Sequence, residues 1–266
     1  MYSREELYWL PITLLIMVGI GIGLYFLLRN KSAKIKLIPF MVIAVAIAGL
    51  EVAKQICALN GVGGFGFNSK GTYGLFSIPL HFCSIAIFAY PFAVFLKQGT
   101  RAANIAWALS LTATVISTIA LYVAPQLIIS DAPAKIEAGI AKFDLYHTYL
   151  VHNLTVLFLI CAIAFKPYKP RFSDLAFGVA IYGGFMAFSA IMAAILKTDF
   201  ARFRNFPLGP FNAIRDSAGM FWSMLTIWFT YMIVAAISAA LVLYVPRLYK
   251  HIQSKLKKQD TNKNEI

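Results

Sequence analysis

The stretch 7–28, LYWLPITLLIMVGIGIGLYFLL, runs for twenty-two residues without a charged side chain and stops at Arg29-Asn30-Lys31. Wound as an α-helix it would be about 33 Å long, enough to cross ~30 Å of hydrocarbon. It is too long for the apolar core of a signal peptide, and no small-residue cleavage pattern follows it. The stretch therefore reads as a membrane span.

Similar runs follow outward along the chain, at 37–59, 78–96, 103–124, 147–165, 173–196 and 218–244. Most are bounded by basic residues or proline: Lys34 and Lys36, Lys97, Pro125, Lys166-Pro167, Lys197 and Pro246-Arg247. Ser77 stands where a helix cap would introduce the third run, with Pro79 in its first turn. The pattern predicts an all-α, polytopic transmembrane helix bundle of seven spans over residues 1–249. A polar tail, 250–266, follows, and its lysine-rich composition predicts disorder.

Composition agrees. Of 266 residues, 60% are hydrophobic and only 13% are charged, whereas soluble domains carry about 25% charged residues. The net charge of +13 lies mainly beside the apolar runs, not on one base-reading face, which argues against nucleic acid as a partner and for membrane lipids. Cys57, Cys83 and Cys161 all fall in apolar runs without ligand spacing, so neither a disulfide framework nor a metal site is indicated, and no cofactor is implied. Residues 61–66, GVGGFG, fit a dinucleotide fingerprint but follow an apolar helix and precede no helix start, so they read as a loop. Asn153-Leu154-Thr155 fits a glycosylation acceptor but sits inside a span. Small residues four apart, Gly19 and Gly23, then Ala176, Ala180 and Gly184, then Ala190 and Ala194, predict close helix approach.

Ionisable side chains inside spans are costly and mark function more often than chance. Glu51 and Lys54 are three apart on one face of the second span. Counted from the span ends, Glu51 lies about 12 Å deep, His81 and Cys83 roughly 6–9 Å, and His152 about 8 Å, with His147 at the span mouth. Each has a bland alternative: a neutralised ion pair, an interfacial histidine, a small buried thiol. Their common level on separate spans points instead to one shared pocket, with His81, Cys83 and His152 as catalytic candidates and Glu51, Lys54 and His147 as binding candidates. On a helix, His81 and Cys83 would face nearly opposite ways, so a base for Cys83 would have to come from another span. Ser84, Thr148 and Thr155 are the alternative nucleophiles.

The segment Ile78-Pro79-Leu80-His81-Phe82-Cys83-Ser84 resembles the Leu-Pro-Leu-His-x-Cys signature of the bacterial YwaF-like integral membrane family. The likeness covers roughly residues 40–200: a glutamate-bearing span before the motif, and a span opening with Tyr146-His147-Thr148 and His152-Asn153 after it. It lapses at Lys197-Thr198-Asp199-Phe200, where that family tends to be rich in Asn and Tyr. The resemblance implies a multi-pass protein of a bacterial cytoplasmic membrane. It is distantly similar to animal multi-span acyltransferases and hydrolases that use cysteine or threonine with histidine, which implies a lipid-directed acyl enzyme. The other reading of the same residues is a transporter or receptor, in which Glu51, Lys54 and the histidines bind solute or relay protons. No inverted repeat supports it in the sequence.

Orientation follows from the basic residues. Segments 29–36, 97–101, 166–171 and the stretch from Arg247 onward carry 4, 2, 3 and 6 Lys and Arg, fifteen in all. The N-terminus, 60–77, 125–146 and 197–216 carry 1, 1, 2 and 4, eight in all. The excess places the C-terminus in the cytoplasm and the N-terminus outside. Reporter fusions to the tail are expected to be active only as cytoplasmic reporters, and fusions within 125–146 only as extracytoplasmic ones; the reverse pattern would invert the assignment.

Overall fold

The computed structural model describes residues 9–61, 75–123, 143–204, 206 and 209–263. The described residues are helical throughout their ordered elements: α1 (Trp9–Leu28), α2 (Ile38–Leu59), α3 (Ile85–Phe95), α4 (Arg101–Val123), α5 (Phe143–Phe165), α6 (Phe172–Leu196), α7 (Gly209–Ala218) and α8 (Met220–Lys263). Six helical segments are long and apolar enough to cross a membrane, and α3 is a shorter apolar helix between them. The end at which α1, α3, α5 and α8 begin and α2, α4 and α6 finish is called upper below.

Helix α4 forms the centre. It packs against α3, α5, α6 and α8, while α1 lies outside on α5. Burial follows the sequence of α4, where small side chains occupy most of the circumference: Ala103, Ala106, Ala108, Ser110, Thr112, Ala113, Thr114 and Ser117 are all buried. Neighbours can then approach from several sides, and dispersion and hydrogen bonding, not hydrophobic exclusion, hold helices together in lipid. Around the lower half of α4, Phe40, Tyr90, Trp107 and Phe158 interlock. Tyr90 stacks on Phe158 at 3.9 Å between centroids, and Phe40 meets Trp107 edge-on at 5.2 Å. The polar tips of these rings find partners: Tyr90 Oη lies 2.6 Å from Thr114 Oγ1, and Trp107 Nε1 donates to Gln98 Oε1 at 3.0 Å. At the lower mouth of α6, Tyr168 Oη donates to the buried Asp174 carboxylate (3.1 Å) and accepts from Arg171 N. Burial pushes the Tyr168 hydroxyl pKa up from its ordinary value, so it stays a donor.

Three sequence expectations change. The third span does not wind from residue 78: helix α3 starts only at Ile85. Before it, Leu75–Ser77 form a single 3₁₀ turn, Leu80 N bonds back to Ile78 O (2.7 Å), and residues 81–84 make a turn closed by Ser84 N to His81 O (2.9 Å). The freed carbonyls are taken by side chains of other helices, as described below. The last helix does not stop at Pro246 but continues to Lys263 through the tail expected to be disordered. Lys and Gln are good helix formers, and a helix already nucleated in the span extends residue by residue. The segment 197–216 is not a plain loop. A second 3₁₀ turn (Phe200–Arg202) and helix α7 return over the upper end, and Gly219, at φ +94°, makes the reversal into α8.

The close-approach glycines are also not those the spacing pointed to. Gly19, Gly23 and Gly184 have nothing within 4 Å of a built Cβ, and Ala176, Ala180 and Ala194 face outward. The buried stripe of α6 is Leu175, Gly178, Tyr182, Met186, Ser189 and Ala193, with Gly183 beside it. Small residues occur on both faces of this helix, and the rotation is set by the large side chains Tyr182 and Met186, which need the interior volume. Gly178 lies against the backbone of α4, and a Cβ there would sit 2.9 Å from Leu109 N and 3.2 Å from Ala108 C. Gly61, at φ +71°, ends α2; the rest of the GxGxxG stretch, like most of 125–146, lies outside the described residues.

Because backbone cannot yield as a side chain does, Gly178→Ala is expected to destabilise the protein by about 1–3 kcal/mol, read as a lowered unfolding temperature in detergent. Gly184→Ala on the open face is expected to leave that temperature unchanged.

Candidate functional site

Two polar side chains inside α2 are one helical turn apart, and the fold makes them the floor of a buried cluster. Glu51 Oε1 accepts from Lys54 Nζ at 2.8 Å and from Gln55 Nε2 at 2.6 Å. Glu51 and Lys54 are each only 7% exposed, so the pair is desolvated and each charge depends on the other. From α5, His147 brings Nε2 to 3.5 Å from Glu51 Oε2. Helix α5 begins at Phe143, four residues earlier than the sequence indicates. His147 thus lies a full turn inside the helix, at the level of the carboxylate.

The unwound segment before α3 closes the cluster from the third side. Gln55 Nε2 also donates to Ser77 O (2.8 Å), tying α2 to the 3₁₀ turn, and Ser189 Oγ of α6 donates to Leu80 O. Non-helical backbone persists at membrane depth only when buried in protein with its polar groups satisfied. Gln55 and Ser189 meet that requirement on either side of Pro79. The spacing had drawn attention to neither. Gln55 had a signal, standing four residues after Glu51 on the same face; Ser189 had none.

His81 and Cys83 lie in the hydrogen-bonded turn after this segment, ahead of the helix that begins at Ile85, so the α-helical spacing used to set them on opposite sides does not apply. His81 Nδ1 accepts from Ala201 N at 3.4 Å, and its ring meets Phe200 edge-on at 6.0 Å. Cys83 is half-buried and lies within electrostatic reach of Lys54 and Glu51. The thiol therefore has a cation among its neighbours, but makes no hydrogen bond to a histidine among the described residues. Tyr182 Oη, fully buried, has no hydrogen-bond partner among the described residues and is in electrostatic reach of Cys83.

His152, 4% exposed, sits on α5 just over a turn deeper than His147. Its Nδ1 lies 2.7 Å from Thr148 O. A carbonyl only accepts, so Nδ1 carries the proton and Nε2 keeps its lone pair. That nitrogen is buried and has no partner among the described residues. His152 is in electrostatic reach of both His147 and His81, so the three histidines occupy one neighbourhood although two come from α5 and one from the turn before α3. Of the alternative nucleophiles, Thr155 spends its hydroxyl on Val151 O (2.9 Å) and is buried. Asn153 likewise back-bonds to Tyr149 O, which places the whole glycosylation-like triplet inside the bundle.

The described chain is thus a polytopic helical membrane protein carrying a buried, charged and histidine-rich cluster at an unwound segment. It belongs to the TMEM164 family, whose model matches residues 1–246. No curated protein and no solved structure gives a significant match to the chain.

The ion pair makes a definite stability prediction. Glu51→Ala leaves Lys54 buried without its carboxylate, and is expected to cost about 3–5 kcal/mol in detergent unfolding. The double variant Glu51→Leu with Lys54→Met removes both charges at similar volume, and is expected to recover most of that loss.

Proposed function

We propose that the protein is a lipid-directed acyl enzyme, a hydrolase or transferase, with Cys83 as nucleophile and His152 as base. The observation that carries this reading is His152 itself. The ring is buried, its tautomer is fixed by Thr148 O, and its basic nitrogen has no partner among the described residues. An unpartnered buried acceptor is costly unless a substrate or an attacking group completes it. The site's setting inside the helix bundle also supports a substrate that already resides in the bilayer, since an acyl chain can reach it between helices without passing through water.

The chemistry is that of acyl transfer. Cys83 Sγ attacks the ester carbonyl carbon; the S–C bond forms and the alkoxy C–O bond breaks. The thiol proton passes to His152 Nε2 and from there to the departing alkoxide oxygen. Water or a second hydroxyl then attacks the thioester, its proton moving through His152 Nε2 to the released Cys83 sulfur. Lys54 favours the thiolate by its charge, and Glu51 and His147 keep Lys54 placed. The basic-residue count puts this chemistry in the outer half of the membrane, and the likeness of the His81–Cys83 segment to YwaF-like proteins favours a bacterial cytoplasmic membrane.

A second reading has its own support. Glu51 and His147 on facing helices, with His152 a turn further on, form a file of titratable groups of the kind that relays protons or binds a solute.

Labelling of native membranes with an alkyne-tagged palmitoyl nitrophenyl ester separates the two. Cys83→Ala is expected to abolish labelling of this protein, and His152→Ala to slow it by about 10²–10⁴-fold, the usual contribution of a general base. Unchanged labelling in both variants would remove the enzyme reading and leave the relay.

A further inference from the structure

The upper end of the bundle carries a structured strap that the mechanism above does not use. Between α6 and α7 the chain does not simply turn back. Lys197, Ala201 and Arg202 all have positive φ, at 52°, 48° and 61°. For residues with a Cβ this left-handed conformation is unfavourable and persists only when surroundings enforce it. The surroundings here are specific. Phe200 and Phe203 are fully buried and Phe206 nearly so. Phe203 and Phe206 pack on Tyr231 of α8, at 5.8 and 6.3 Å, and Phe206 packs on Phe211 of α7 at 4.5 Å. Tyr231 Oη donates to Ala201 O (2.8 Å), and Arg204 N donates to Asp199 Oδ1 (2.8 Å), closing the strap on itself.

The residue so held turns its other backbone group toward the site. Tyr231 fixes the carbonyl of Ala201, and the N–H of Ala201 points at His81 Nδ1. A peptide N–H only donates, so this contact, long at 3.4 Å, favours the lone pair on His81 Nδ1 and the ring proton on Nε2. His152 is fixed the opposite way, with its proton on Nδ1 and its lone pair on Nε2. Two histidines in one neighbourhood are thus held in opposite tautomers by backbone groups from different parts of the chain. A histidine with Nδ1 already engaged as acceptor is a poor base at that nitrogen and a ready donor at the other.

We infer that the strap 198–204 is part of the site, and that Tyr231 is a positioning residue which, through Ala201, keeps His81 as a hydrogen-bond donor while His152 serves as the base. Resting on the acyl-enzyme reading, this assigns His81 Nε2–H to the developing negative charge on the substrate carbonyl oxygen, with no proton transferred at that atom. The division of labour needs no titration of His81, only that its ring keep one tautomer throughout. It also gives the backbone strain at Ala201 a purpose: the strained residue is the one that presents the donor.

The test reads the tautomer directly. The chain has four histidines, so ¹⁵N-histidine labelling with single substitutions assigns each ring. In detergent-solubilised full-length protein, ¹⁵N spectra are expected to show His81 as a pure Nε2–H tautomer and His152 as a pure Nδ1–H tautomer. Tyr231→Phe, which removes one hydroxyl and keeps the ring packing, is expected to make His81 a tautomer mixture while leaving His152 unchanged. Asp199→Ala, which loosens the strap from its other anchor, is expected to do the same. With the palmitoyl ester probe, both variants are expected to slow labelling about 10–100-fold at saturating probe, the cost of misaligning an oxyanion donor, without weakening probe binding. His81 found as Nδ1–H or protonated in the wild type, or unmoved by both substitutions, overturns the inference. The tautomer result stands apart from the acyl-enzyme reading. If the spectra behave as expected but His152→Ala and Cys83→Ala leave labelling intact, the strap does position His81 and the enzyme reading is what fails.

Discussion

Hydrocarbon offers no hydrogen bonds, so each backbone polar group at membrane depth must be satisfied within the protein. The rest of this structure depends on how that demand is met between Ser77 and Ile85. A span wound from residue 78 would have satisfied itself and needed no help. Instead the chain enters through a 3₁₀ turn and a second hydrogen-bonded turn, and Gln55 and Ser189 reach from α2 and α6 to the carbonyls of Ser77 and Leu80. Those two contacts fix the segment between two helices. They make α3 short, and they bring His81 and Cys83 to the interior without a helix's constraint on their directions.

The same two contacts couple the polar cluster to the fold. Gln55 donates with one nitrogen both to Ser77 O and to Glu51, so the geometry of the ion pair and that of the unwound segment are not independent. A buried Glu–Lys pair gives little net stability by itself, because desolvation offsets most of the attraction. Its persistence in a helix otherwise made of Ile, Val and Ala is better explained by what it holds in place. It presents a carboxylate to His147 and a cation in reach of Cys83. Where hydrophobic exclusion is absent, such hydrogen-bonded polar contacts are among the few interactions that choose one helix arrangement over another.

On the opposite side of His81 the strap performs a related task with different chemistry. Its anchors are aromatic packing and one tyrosine hydroxyl, and its product is a single peptide N–H aimed at one ring nitrogen. Polar groups contributed by α2, α5, α6, α8 and two connecting segments thus converge at one end of the bundle. They come from stretches far apart in sequence: 51–55, 77–83, 147–152, Ser189, 199–204 and Tyr231.

The sequence by itself determined that the chain is a membrane-spanning helical bundle and where most of its apolar helices lie, though not where the third begins or the last ends. Span length and the scarcity of charge are local properties, and hydrocarbon thickness converts them directly into topology. It also named Glu51, Lys54, His81, Cys83, His147 and His152, because charge and imidazole inside apolar runs are visible without a fold. What only the tertiary structure decided is how those residues face one another. Whether residues 78–84 wind into a helix depends on acceptors supplied by Gln55 and Ser189, one on each neighbouring helix. Which glycine is buried on α6 depends on where Tyr182 and Met186 find volume, so the periodic small residues misled by one position. The conformation of 197–204 depends on Tyr231, about thirty residues away in the chain. The tautomer of His81 depends on the Ala201 N–H, which only the folded chain brings to it. Local composition sets what must be buried; the partners that satisfy it are nonlocal, and no periodicity in the sequence records them.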